Sequence, residues 1–190
     1  MFWYTTLVLS VAAERIAELA VSRRNARRAL ARGGVEAGRG HYPVMVALHS
    51  ALLAGCLGEA WLAGRPFVPL LGWPMFAAVC AAQALRWWCI TSLGRCWNTR
   101  VLVVPGLPLV SRSPYRFLDH PNYLAVAVEG AALPLVYGAW WTAAGFTAAN
   151  GLLMVVRIRC EDRALSSAGR ATVRPAGAAP SDGLTGDAPL

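Results

Sequence analysis

VPLLGWPMFAAVCAAQALRWWCI, residues 68–90, decides the fold class. A helix rises about 1.5 Å per residue, so about 20 apolar residues cross the ~30 Å hydrocarbon layer of a bilayer. This stretch has that length and carries one charge, Arg86, near its end. Four more apolar runs of similar character occupy residues 2–21, 44–62, 122–138 and 140–158. Only 15% of the 190 residues are charged, against roughly 25% in an ordinary soluble domain, and 56% are hydrophobic. The pattern predicts an all-α integral membrane protein, a bundle of about five transmembrane helices packed as one domain, with the last two joined as a tight helical hairpin.

The distribution of charge sets the expected orientation. The formal net charge is +8 and every one of the 18 basic residues is Arg. Arg23, Arg24, Arg27, Arg28, Arg32 and Arg39 crowd the first loop; Arg95, Arg100, Arg112 and Arg116 lie in the third; Arg157, Arg159 and Arg163 follow the last run. Only Arg65 falls in a loop on the opposite side. Basic residues gather on the cytoplasmic side of membrane proteins, so the N-terminus is expected outside and the C-terminus in the cytoplasm. The same clustering between apolar runs argues against a nucleic-acid partner and for membrane lipids.

Other features narrow the class. Cys56, Cys80, Cys89, Cys96 and Cys160 form no C-x-x-C pair, which leaves packing thiols rather than a metal site. The first 21 residues lack a basic leader and are interrupted by Glu14, Arg15 and Glu18, unlike a cleaved signal peptide. Residues 101–110 are apolar but too short to span and hold Pro105, Gly106 and Pro108, which suits an interfacial or re-entrant stretch. Pro134 is expected to kink the fourth helix, and Trp140 and Trp141 to sit in an aromatic belt. From residue 166 onward Ala, Gly, Pro, Ser and Thr dominate, so the chain divides into a membrane domain, 1–165, and a disordered tail, 166–190.

The most specific segment, SPYRFLDHPNYL at residues 113–124, stands immediately before the fourth run. Pro121 suits a first helical turn, which makes His120 the N-cap and turns the free amides beyond it toward the cytoplasmic interface, a place that can hold an anion. A Pro-initiated helix with an interfacial His accounts for the same residues. Asn150, Met154, Arg157 and Glu161 follow one another along one face of the fifth helix, and Arg157 can pair with Glu161. Such a pair is often only a solvated ion pair, but Asn150 continues the polar line into the membrane, where polar groups are costly and often functional. Glu129 lies two turns beyond Asn122 on the fourth helix and should be neutral or paired there. Arg15 and Glu18 are spaced for an i, i+3 pair, and with His49 and Glu59 read as structural residues of the bundle. Gln83, Arg86 and the Leu93–Asn98 segment either line a polar pocket or anchor at the interface. No dinucleotide fingerprint, Walker loop, H-E-x-x-H or nucleophile elbow occurs.

His120-Pro121-Asn122-Tyr123 before a hairpin, and Arg157 to Leu165 closing it, resemble the isoprenylcysteine carboxyl methyltransferase family of membrane methyltransferases. Leu93-Gly94 to Trp97-Asn98 and Pro114-Tyr115-Arg116 fit the same family. Glu14-Arg15 with Glu18, Gly33-Gly34 to Glu36, His41-Tyr42-Pro43 and His49 resemble its short bacterial members that O-methylate alkylresorcinols and alkylpyrones made by type III polyketide synthases. Where the family has Gly, Arg and a second Glu, this chain has Ser113, Asp119 and Asp162.

The resemblance implies an S-adenosylmethionine site inside the C-terminal hairpin, open to the cytoplasm of a bacterial inner (plasma) membrane. The implied cofactor-binding residues are Tyr115, His120, Pro121, Asn122, Tyr123, Asn150, Arg157 and Glu161. An amphipathic lipidic acceptor would enter from the membrane, and Glu129, His49 and Tyr123 are the candidates for catalytic help in deprotonating it. A prenylcysteine carboxylate is the alternative acceptor, and a non-enzymatic membrane protein the alternative class.

Overall fold

A computed structural model of the protein describes residues 1–37, 40–104, 113–118 and 120–173; the side chains of Val103 and of residues 165–173 lie outside that description. Among the described residues there are five α-helices: α1 (Phe2–Leu30), α2 (His41–Ala63), α3 (Pro69–Leu93), α4 (Pro121–Leu135) and α5 (Trp140–Val173). Two short strands, β1 (Val35–Ala37) and β2 (Val101–Val103), pair antiparallel with Glu36 opposite Leu102.

The helices differ from the sequence expectations at their ends. α1 runs on to Leu30, so Arg23, Arg24, Arg27 and Arg28 stand on a helix rather than in a loop. Arg and Ala are good helix formers, and extending an existing helix avoids the cost of a new nucleus. α5 likewise continues to Val173, into the segment expected to be tail. α4, with 15 residues, is shorter than the roughly 20 that a span requires. It stops one residue after Pro134, and a turn through Gly138, at φ 68°, leads into α5. A side chain at that φ would be strained, so glycine suits the turn. β2 takes up the first residues of the stretch read as interfacial; residues 105–110 of that stretch, Arg39, Arg112, Asp119 and 174–190 lie outside the described residues.

α2 and α3 are long and apolar enough to cross a membrane. Large apolar side chains point outward around the bundle, among them Leu9, Ile16, Leu62, Leu70, Trp141 and Leu152. Several polar ones, Glu18, Ser22, Asn25, Arg86, Glu129 and Asn150, are buried inside. That inversion suits lipid as the surrounding solvent.

One stripe of α1 shows how the interior is divided. Tyr4, Val8 and Val11 face inward near its start; Glu18, Ser22 and Asn25 continue the same face toward its end. The apolar half packs with Leu52, Cys56, Val79, Leu133, Val136 and Phe146 into the hydrophobic core. The polar half borders a cavity. α4 is the central helix, in contact with α2, α3 and α5. Its Gly130 permits this, because a Cβ there would lie 2.0 Å from the Phe146 ring of α5. Glu59 of α2 accepts the Trp141 and Thr142 amides at 3.1 and 2.8 Å, satisfying the exposed donors at the start of α5.

Candidate active site

The cavity measures about 1060 Å³ and lies among α1, α2, α3, α4 and α5, roofed by the segment from Leu93 to Val104. Its volume reaches the top of the roughly 300–1000 Å³ range of small-molecule sites, enough for a cofactor and part of a second molecule. Arg28, Arg32 and Arg95, all exposed, mark its mouth at the Arg-rich end.

The roof is fastened to α1 by side chains. Asn25 donates to the carbonyls of Gly94 and Trp97 at 3.2 and 2.8 Å, and Ser22 Oγ donates to Asn98 Oδ1 at 2.7 Å while accepting the Thr99 amide at 3.0 Å. Beside it, Arg100 pairs with Glu36 of β1 at 3.4 Å and lies 4.6 Å over the Tyr42 ring. Ser22 and Asn25 were missed at the level of sequence; their only signal was the heptad spacing of 4, 8, 11, 18, 22 and 25 along α1.

Seven of the eight residues implied as cofactor-binding line this one cavity: Tyr115, His120, Asn122, Tyr123, Asn150, Arg157 and Glu161. The eighth, Pro121, is buried as the first residue of α4, with His120 as N-cap. The Tyr123 hydroxyl donates to Glu161 Oε2 at 2.8 Å, tying α4 to α5. His120 Nε2 lies 3.7 Å from Asp162 Oδ1. Burial, with the Cys89 thiol beside it, holds the Tyr115 phenol above its ordinary range, so it stays a neutral hydrogen-bonding group.

Arg157 does not pair with Glu161 as the spacing along α5 suggested. It turns to the roof, donating Nη2–H to the Thr99 carbonyl at 2.8 Å and Nη1–H to the Met45 sulfur, with its guanidinium 5.8 Å from the Tyr123 ring centroid. The carbonyl is a fixed acceptor brought close by tertiary packing, whereas Glu161 is engaged by Tyr123.

The three candidates for catalytic help are placed very differently. Glu129 is buried and is not among the residues bordering the cavity; its Oε2 accepts from Arg86 at 2.8 Å and from Arg15 at 3.3 Å. Tyr123 borders the cavity with its proton committed to Glu161. His49 borders the cavity too, and its Nδ1 lies 2.9 Å from the Met45 carbonyl. A carbonyl can only accept, so Nδ1 carries the proton and Nε2 of the neutral ring is left as an acceptor.

Below His49 the cavity ends on a charged network. Arg15 Nη1 donates to Glu18 Oε2 at 2.6 Å, Arg86 Nη1 lies 3.8 Å from the same carboxylate, and Gln83 bridges Arg15 and Glu14. Arg15, Glu18 and Arg86 all border the cavity, although sequence reading gave Arg15 and Glu18 only a packing role.

The residues that line the cavity on α4, α5 and the roof have the chemistry for a zwitterionic nucleoside cofactor. Asn122 Oδ1, Trp97 Nε1 and Arg157 Nε are buried there without a partner among the described residues, one acceptor and two donors. Buried polar atoms are rarely left so unless a water or ligand completes them. With the Glu161 carboxylate and the Arg157 guanidinium on the same wall, the set offers opposite charges for an ammonium and a carboxylate.

The profile of the isoprenylcysteine carboxyl methyltransferase (ICMT) family matches residues 75–167. The chain is also 40% identical over 166 residues, 87% of its own length and 96% of the relative's, to the uncharacterized protein YpbQ of Bacillus subtilis (strain 168). No solved structure matches it. The helical bundle and the family together define a membrane methyltransferase. The chain belongs to the isoprenylcysteine carboxyl methyltransferase family, whose members generally use S-adenosylmethionine.

Proposed function

We propose that the protein is an S-adenosylmethionine-dependent O-methyltransferase whose acceptor is a lipid with a phenolic or enolic ring, of the alkylresorcinol or alkylpyrone type. The observation that carries this reading is one cavity lined by Asn122, Trp97 and Arg157, each with a buried polar atom that has no partner among the described residues, together with Glu161 and the His49 acceptor. Tyr115, His120, Asn122, Tyr123, Asn150, Arg157 and Glu161 would hold the cofactor, which when bound supplies an electrophilic methyl group on a sulfonium. His49 Nε2 would accept the proton of the acceptor hydroxyl and so make that oxygen the nucleophile. Side chains on α2, α4 and α5 would orient the two molecules within the one cavity, and orientation of this kind is in favourable cases worth roughly 7–11 kcal/mol of the barrier. The apolar surroundings keep water from competing for the methyl group.

The test is a titration of purified protein in detergent with labelled S-adenosylmethionine, followed by methyl transfer to a long-chain alkylresorcinol, an alkylpyrone and a farnesylcysteine analogue. Saturable binding and methylation of one of the first two is expected. Turnover of the farnesylcysteine analogue alone would overturn the acceptor, and absence of saturable binding the whole reading.

The same reading includes five membrane passages with the N-terminus outside, the short α4 crossing at the centre of the bundle under cover of its neighbours. Reporter fusions after Val21, Gly64 and Ile90 are expected to report cytoplasm, exterior and cytoplasm in turn. A cytoplasmic signal after Gly64 would reject this topology.

A further inference from the structure

The inner end of the cavity has chemistry that neither the cofactor nor His49 uses. The Glu18 side chain is 7% exposed, borders the cavity, and spends only Oε2 on Arg15; its Oε1 is buried with no partner among the described residues. The Nε–H groups of Arg15 and Arg86, on the same wall, are also buried and unpaired. A carboxylate oxygen and two guanidinium N–H groups of residues that line the cavity thus lack partners among the described residues. Buried atoms of this kind are left desolvated unless a ligand completes them.

The charge of the network limits which ligand that is. Among the described residues Glu14, Glu18 and Glu129 meet Arg15 and Arg86, a formal excess of one negative charge. A second carboxylate brought against Glu18 would meet like charge in a setting where water screens little. A ring hydroxyl instead offers Oε1 the proton it lacks, and another oxygen on the same ring can accept from the unpaired Nε–H groups. His49 Nε2 provides a further acceptor on the α2 side of the same space.

We propose that Glu18, Arg15 and Arg86 form an acceptor subsite for an uncharged hydroxyl-bearing ring, a phenol or enol, and that Glu18 selects it against a carboxylate. This rests on the methyltransferase reading for its purpose but not for its test, since binding at the inner wall is measured without cofactor. The assignment also gives Glu18 a positioning role: it touches the acceptor's hydroxyl but takes no part in the bond changes at the methyl group.

The experiment compares binding of a long-chain alkylphenol and of the alkylbenzoate of equal chain length, followed by tryptophan fluorescence in the same detergent. The wild-type protein is expected to prefer the phenol by at least roughly tenfold, the lower end of what a hydrogen bond to a charged group contributes. Glu18→Gln, which keeps the shape but removes the charge, should shrink that preference about tenfold while S-adenosylmethionine titrates within about twofold of wild type. Equal or tighter binding of the benzoate by the wild-type protein overturns the subsite, as does an unchanged preference in folded Glu18→Gln. Should that variant fail to fold, the wild-type comparison decides alone. A wild-type protein that prefers the phenol yet binds no S-adenosylmethionine keeps the subsite and rejects the methyltransferase reading instead.

Discussion

Glu161→Gln is expected to weaken S-adenosylmethionine binding by roughly 10- to 100-fold, the range of one hydrogen bond to a charged group. Glu161 lines the same cavity as Asn122, Trp97 and Arg157, and in the proposed reading its carboxylate would meet the positive end of the cofactor. The substitution leaves the bundle in place, because the Tyr123 hydroxyl, which donates to Glu161 Oε2 at 2.8 Å, can donate equally to the amide oxygen of Gln. Arg157→Ala should lose a similar factor, with some destabilisation added as the Thr99 carbonyl loses its donor. The readout is a cofactor titration beside a circular dichroism spectrum. A helical, monodisperse Glu161→Gln protein that binds as tightly as wild type would remove this residue from the site.

Glu129→Ala is expected to act on stability. Its carboxylate holds both Arg86 and Arg15, and its side chain is 5% exposed. Removing it takes the 2.8 Å partner from the buried Arg86 and leaves that guanidinium the longer 3.8 Å contact with Glu18, and breaking a buried pair in this way costs about 3–5 kcal/mol. In a chain of this length that lowers the melting temperature by something on the order of 10 °C. Glu129→Gln, which preserves an oxygen for Arg86, should retain more of the stability, with turnover following the folded fraction. If Glu129 were the base, Glu129→Gln would instead lose turnover with its melting temperature unchanged, so the two measurements together separate support from catalysis. His49→Gln gives the complementary contrast, since Nδ1 bonds only within its own helix, to Met45 four residues earlier.

Much of the site was written along the helices that carry it. Pro121 beginning α4 and the line Asn150, Met154, Arg157, Glu161 on α5 are local patterns, and the 3.6-residue period places such residues on one face whatever surrounds them. Helix ends were less legible: α1 and α5 outrun their apolar stretches because good helix formers continue a helix once it exists. The β1–β2 pair escaped notice because three-residue strands carry almost no periodic signal.

The sequence by itself determined that this is a helical membrane protein with an Arg-rich end, and that α4 and α5 present a polar face near that end. Only the tertiary structure decided what those faces meet. Glu129 lies 114 positions from Arg15 and 43 from Arg86, and Arg157 lies 58 from Thr99. A helical period fixes which residues share a side of one helix, but it carries no information on which neighbour that side will face. The partners are settled by close packing, with Gly130 against Phe146 bringing α4 and α5 together, and by the cost of leaving a buried charge unpaired in a medium without water.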